Sequence, residues 1–123
     1  MQAALVALLV PALPSRAATI QSVVQALDDN EAHNIAIGDI IVNIGRPNSD
    51  SWCSVEVFAP QGVEYLWLKD AQSPLARKIY AAKSLRPSES AVLQKQLKVG
   101  YRAKPLYYSR EIGLYEGEAF TVK

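Results

Sequence analysis

The segment SPLARKIYAAKSLRPSESAVLQKQLKVG, residues 73–100, decides the fold class of this 123-residue chain. Ser73 stands where a helix cap would, Pro74 fits the first helical position, and Leu75, Ile79 and Ala82 make one apolar stripe at helical spacing. Arg86-Pro87 interrupts the stripe, because proline pushes the residue before it out of the helical region. Ser88 can cap a second short helix through Leu93 and Leu97, closed by Gly100. Residues 92–99 also read as a strand, and their spacing does not separate the two.

Working outward, Ile20, Val23, Val24 and Leu27 predict an amphipathic helix from Thr19 to about Ala32. Residues 34–44 are rich in Ile and Val and read as a strand covered on both faces. A turn-rich loop at 45–50 leads to Trp52–Phe58, where Cys53, Val55 and Val57 point one way and Ser54 and Glu56 the other. Pro60 and Gly62 supply turn chemistry before a third strand at 63–68. These three strands are expected to form an antiparallel meander with a core of Ile37, Ile41, Val55, Val57, Leu66 and Leu68. Residues 105–109 and 118–122 read as closing strands. The expected class is therefore α+β: an antiparallel, mostly meander sheet packed against an N-terminal helix and a central pair of short helices. No repeat or low-complexity linker interrupts residues 1–123, which are expected to form a single domain.

Apolar residues make up 50% of the chain and charged residues 20%, which suits a packed core rather than disorder. A chain of this length needs no metal or disulfide staple, and its single cysteine, Cys53, excludes an internal disulfide. The net charge of +1 points to neither nucleic acid nor membrane, but it hides a split. Residues 28–68 hold seven acids against Arg46 alone, whereas residues 69–110 hold ten bases against Asp70 and Glu89. Either the halves neutralise one another within the fold, or they present complementary surfaces to a partner. On the second reading the interface residues are Asp50, Glu56 and Glu64 on the acidic side, and Arg77, Lys78, Lys83 and Lys95 on the basic side.

Residues 1–13 form an uncharged apolar run, and Ser15-Arg16-Ala17 could follow it as a cleavage site, leaving a secreted or periplasmic domain that begins near Ala18. No Lys or Arg precedes the run, and it is too short for an ordinary membrane span. The preferred reading is a native helix with Leu5, Leu8 and Leu9 on one side, ended by Pro11 and Pro14.

No catalytic or cofactor signature emerges. His33, the only histidine, lies near Asp28, Asp29 and Glu31, yet zinc needs several His or Cys ligands and the calcium-loop pattern is absent. This cluster reads as a solvated helix end. A Cys53–His33 dyad lacks a third group, and Cys53 sits on the apolar side of its strand. Gly38, Gly45 and Gly62 are isolated and form no phosphate-cradling loop. Tyr80, Tyr101, Tyr107 and Tyr108 lie among bases, as on a nucleic-acid surface, but Lys78, Lys83, Lys95 and Lys98 fall on outer helix faces in this reading and the acidic strands would repel a polyanion. A protein partner is preferred.

One resemblance is carried by Ser49-Asp50-Ser51-Trp52 running into Val55-Glu56-Val57-Phe58-Ala59-Pro60, by Ala76–Tyr80 after it, and by Gly100-Tyr101 and Gly113-Leu114. Over about residues 35–123 the chain resembles the tail-terminator or tail-completion proteins of long-tailed bacteriophages. That resemblance implies an α+β fold, no enzymatic activity, and a homo-oligomeric ring that caps the tail tube, in the virion or in host cytoplasm during assembly. The alternative from the residues is a small secreted or periplasmic ligand-binding or enzyme-accessory domain.

Overall fold

The computed structural model describes residues 19–30, 36–73 and 75–123. The expectations for the amino-terminal run 1–17 and for His33 lie outside the described residues. Helix α1 (Ile20–Asn30) is capped by Thr19, whose Oγ1 accepts the Ser22 amide at 3.1 Å. Among the described residues nine strands follow: β1 (Ala36–Ile37), β2 (Ile41–Ile44), β3 (Trp52–Phe58), β4 (Tyr65–Asp70), β5 (Ile79–Ser84), β6 (Val92–Lys98), β7 (Arg102–Ser109), β8 (Gly113–Glu116) and β9 (Phe120–Thr121). One sheet runs β1-β8-β7-β4-β5 with β9 also on β7, and a smaller sheet runs β2-β3-β6. Every neighbouring pair is antiparallel except β1 with β8.

The two sheets face one another over a shared core that contains Val55, Val57, Leu66, Leu68, Leu93 and Leu97. On the far side of the larger sheet, α1 packs Val24 against Trp67, Leu106 and Leu114. Strand β4 is therefore covered twice, with Leu66 and Leu68 toward the sandwich and Tyr65 and Trp67 toward the helix.

This architecture corrects the α+β expectation: the fold is mostly antiparallel β, with one short helix among the described residues. Residues 79–84 and 92–98 are strands, not a central helix pair. The Ser73 cap closes only one turn, in which Oγ accepts the Leu75 amide and the carbonyl accepts that of Ala76. Leu75, read as part of an apolar helical stripe, is 86% exposed. Ser88 lies in the exposed turn between β5 and β6. Long-range pairing overrides the local signal here, because β4 is apolar on both faces and needs a hydrogen-bonded neighbour on each side. Strands β5 and β7 supply those neighbours.

The meander is corrected as well. Strands β2 and β3 form the expected hairpin, but β3 next pairs with β6, while β4 belongs to the other sheet. The single long strand expected at 34–44 splits into β1 in the larger sheet and β2 in the smaller. The crossing passes Gly38, where a Cβ would sit 2.6 Å from Tyr107 Oη and 2.8 Å from Tyr115 Cβ. Only glycine lets the backbone pass the stacked Tyr107–Tyr115 pair. Ile41, expected in the core, is 64% exposed.

Pro105 occupies interior strand β7, an unusual place for a residue without an N–H. Its carbonyl accepts the Gly117 amide, so its nitrogen faces the gap between β8 and β9, where the ladder needs no donor. Cys53 is wholly buried in the sandwich core. Cys53→Ala should cost about 1 kcal/mol through lost packing. A thiol reagent should label the native protein only on the timescale of unfolding, and rapid labelling would overturn that placement.

Candidate functional site

Strand order brings three connections to one end of the sandwich: residues 45–51, 71–78 and 99–101. Trp52 lies opposite Lys98, Asp70 opposite Ala103, and Lys69 opposite Ile79. Backbone bonds tie the group together, with the Val99 amide on the Ser51 carbonyl and the Ala71 amide on that of Arg102.

Asn48 organises the first connection. Its Oδ1 accepts the Asp50 and Trp52 amides at 2.9 and 3.0 Å, and its own amide donates to the Trp52 carbonyl at 2.8 Å. The bonds hold Ser51 at φ 67°, a left-handed conformation that costs a non-glycine residue about 1 kcal/mol. Trp52 emerges 37% exposed, with Lys98 Nζ 5.7 Å from its ring centroid. Tyr101, also 37% exposed, stacks on Tyr80 at 5.8 Å and 22°, and Lys78 Nζ stands 5.7 Å from the Tyr80 ring. Val99 adds exposed apolar surface between the two groups.

Tyr80 is the extra residue at a bulge opposite Leu68 and Lys69. Burial first, then the charge of Asp70 and a hydrogen bond to it, raise the phenol from its ordinary 10 to about 12. The native state thus holds this proton more tightly than the unfolded chain. The stabilisation is complete below pH 10 and is lost as pH rises from 10 toward 12. In Tyr80→Phe the last tyrosinate step in the ultraviolet titration should disappear. An unchanged titration would remove Tyr80 from this role.

Behind the aromatic group lies an open cleft of about 400 Å³, lined by Asp70, Gln72, Ser73, Arg102 and Lys104 among others. Lys104 is held by Glu116 at 2.8 Å, and Arg102 Nη1 donates to Thr121 Oγ1 at 3.2 Å. Among the described residues, no three His, Cys, Asp or Glu side chains group as a metal site would need.

The structure brings together only part of the expected interface. Asp50, Arg77 and Lys78 sit in the connections at this end. Glu56 and Lys95 lie mid-strand on β3 and β6 of the smaller sheet, while Glu64 and Lys83 lie toward the opposite end. Several are engaged within the chain. Glu56 accepts from Gln94 at 2.7 Å, Glu64 from the Arg110 amide at 2.8 Å, and Arg77 pairs with Asp29 at 2.6 Å. Lys83 donates to the Val92 carbonyl at 3.1 Å. Asp28, read as part of a solvated helix end, is buried against Lys69 at 2.7 Å. The charge split is thus partly neutralised internally. Sequence reading missed the two cation–aromatic groups: tyrosines interleaved with bases carry a signal for Lys78 on Tyr80, whereas Lys98 meets Trp52 only through strand pairing.

No protein-family model matches the chain, and no curated protein is significantly similar to it. Solved structures share its fold. The sulfur carrier protein SoxY from Chlorobium limicola f thiosulfatophilum has a TM-score of 0.57 at 14% identity, over 84% of this chain and 96% of that one. A superoxide reductase (neelaredoxin) from Ignicoccus hospitalis has a TM-score of 0.53 at 14% identity, over 68% and 80%. A variant of the Archaeoglobus fulgidus superoxide reductase, in the reduced form, has a TM-score of 0.54 at 10% identity, over 72% and 91%. At such identities the likeness is one of fold, and this fold carries both enzymes and a carrier protein. Among the described residues no helix is long and apolar enough to cross a membrane.

Proposed function

We propose that the chain is a non-enzymatic module that binds another protein through the loop end of its sandwich. The observation that supports this is the convergence of Trp52, Tyr101 and Val99 with ring-stacked Lys78 and Lys98 on a surface pinned by tight turns. Exposed Trp and Tyr on a rigid base are the residues that dominate binding energy in protein interfaces. The lysines and Arg102 favour a partner that offers carboxylates.

Used as bait in extracts of the source cells, the wild-type protein should retain a partner that Trp52→Ala/Tyr101→Ala loses. Each truncation should weaken binding by about 2 kcal/mol. Melting of the double variant should stay close to wild type, because both side chains are partly exposed. Identical partner sets would refute the assignment of this surface.

A ring-forming component of a phage tail is the narrower form of the proposal and rests on the sequence resemblance, since the fold likenesses do not bear on tail assembly. Lys83 is committed to the Val92 carbonyl, so a charge-reversal test of a ring belongs on Lys78 and Lys98. The cleft beside Arg102 favours the second reading, a small ligand-binding or accessory domain. On that reading, titrated sulfate or phosphate should shift the Arg102 and Lys104 resonances.

A further inference from the structure

We propose that the cleft behind the aromatic group binds a small phosphorylated polyol, its phosphate on Arg102 and Lys104 and its hydroxyls beside Gln72 and Ser73. This names the ligand class for the ligand-binding reading of the cleft and rests on that reading. The protein-binding surface at the loop end stands or falls separately.

Strand pairing builds a cationic wall. Lys69 on β4 lies directly opposite Lys104 on β7, and Arg102 stands two residues before Lys104 on the same face of β7. Like charges so placed repel, and a carboxylate steadies each lysine: Asp28 holds Lys69 at 2.7 Å and Glu116 holds Lys104 at 2.8 Å. Each ammonium group keeps N–H donors beyond that one bond. Arg102 is exposed and has no carboxylate partner among the described residues. Its Nη1 donates to Thr121 Oγ1, which leaves most of the guanidinium fork open for a bidentate phosphate. Asp70 is the one acid on the lining among the described residues. Its Oδ1 accepts the Gln72 amide, and its carboxylate also accepts the Tyr80 hydroxyl. Three bases against one acid suit a dianionic phosphate monoester better than a single carboxylate. Asp28 and Glu116 stand behind the lysines and temper the attraction, so a bare anion should bind only weakly.

Size and lining select the rest of the ligand. At about 400 Å³ the cleft has more room than an inorganic anion fills, and it lies within the usual range for small-molecule sites, about 300–1,000 Å³. Ala71, Ala76 and Ala119 contribute only methyl groups to the lining, which leaves that room open. Backbone bonds hold two of them in place, from the Ala71 amide to the Arg102 carbonyl and from the Ala76 amide to the Ser73 carbonyl. Ser73 Oγ accepts the Leu75 amide and keeps its O–H to donate, and the Gln72 side chain can both donate and accept. These are partners for hydroxyl groups. No aromatic side chain lines the cleft among the described residues, so a nucleobase would find no face on which to stack. The lining therefore favours a phosphorylated polyol over a nucleotide.

The test is a chemical-shift titration of the full chain with inorganic phosphate, ribose 5-phosphate, ribose and adenosine monophosphate, read at the Gln72 and Ser73 amides and the Arg102 side chain. Inorganic phosphate should bind with a dissociation constant of about 1 mM and ribose 5-phosphate about tenfold more tightly, while ribose alone moves nothing. Adenosine monophosphate should bind no better than inorganic phosphate. Arg102→Gln should weaken both inorganic phosphate and ribose 5-phosphate by about tenfold or more, at an unchanged melting temperature because the side chain is exposed. Ala76→Leu fills the space for the polyol and should erase the advantage of ribose 5-phosphate while inorganic phosphate still binds. If that variant fails to fold, Arg102→Gln and the ligand series decide alone. Trp52→Ala/Tyr101→Ala should bind as the wild type does. Equal affinity for inorganic phosphate and ribose 5-phosphate overturns the polyol assignment and leaves the cleft as a ligand site. Resonances that none of the four compounds moves overturn the proposal and the ligand-binding reading together, as does an Arg102→Gln protein that binds like wild type for the proposal alone.

Discussion

Val57→Asp should not fold. Val57 is wholly buried at the middle of β3, opposite Val42 on one side and Leu93 on the other, within the core between the sheets. A carboxylate there would be set among the mainly aliphatic and aromatic side chains of the core. Burying such a group costs several kcal/mol, against a total stability of about 5–15 kcal/mol for a domain. Far-ultraviolet dichroism should show no cooperative melt. The adjacent change Glu56→Lys points to the other face, loses only the bond from Gln94, and should cost less than about 1 kcal/mol. A Val57→Asp protein that melts cooperatively near the wild-type temperature would mean that the faces of β3 are inverted.

Lys69→Ala should lower stability by about 3 kcal/mol or more, the usual result of stranding a buried charge. Asp28 is 5% exposed, its Oδ2 is 2.7 Å from Lys69 Nζ, and its Oδ1 has no hydrogen-bond partner among the described residues. The pair also ties the last turn of α1 to β4, so its loss should loosen the helix over Trp67. Replacing both members with apolar residues, Asp28→Leu with Lys69→Met, should recover most of the loss, because two desolvated charges are removed together. Urea midpoints of the single and double variants measure both effects. A single variant within about 0.5 kcal/mol of wild type would show that the pair is solvated in solution.

Local patterns carried several features correctly. The spacing of Ile20, Val24 and Leu27 gave α1 its buried stripe, the alternation from Cys53 to Val57 gave β3 its faces, and the turn residues at 45–50 gave the β2–β3 hairpin. Each depends on residues near in sequence, where period and turn chemistry are sufficient. Period reports that a face is buried but not what buries it, so β4 could be read as a strand without being placed in a different sheet from β3. Strand β6 shows the limit most plainly. Leu93 and Leu97 point inward while Gln94, Gln96 and Lys98 point out, yet Lys95 breaks the alternation at an inward position. What remains, Leu93 and Leu97 four apart, has the spacing of a helix. That lysine is tolerated because β6 is an edge strand, from which a long side chain can reach water. The candidate site divides in the same way. The sequence determined which residues were aromatic or basic, whereas the stacking of Tyr80 on Tyr101 and the pairing of Asp28 with Lys69 belong to the tertiary structure. Edge position and contacts between distant residues arise only when strands far apart in the chain hydrogen-bond, and no local window of sequence contains that information.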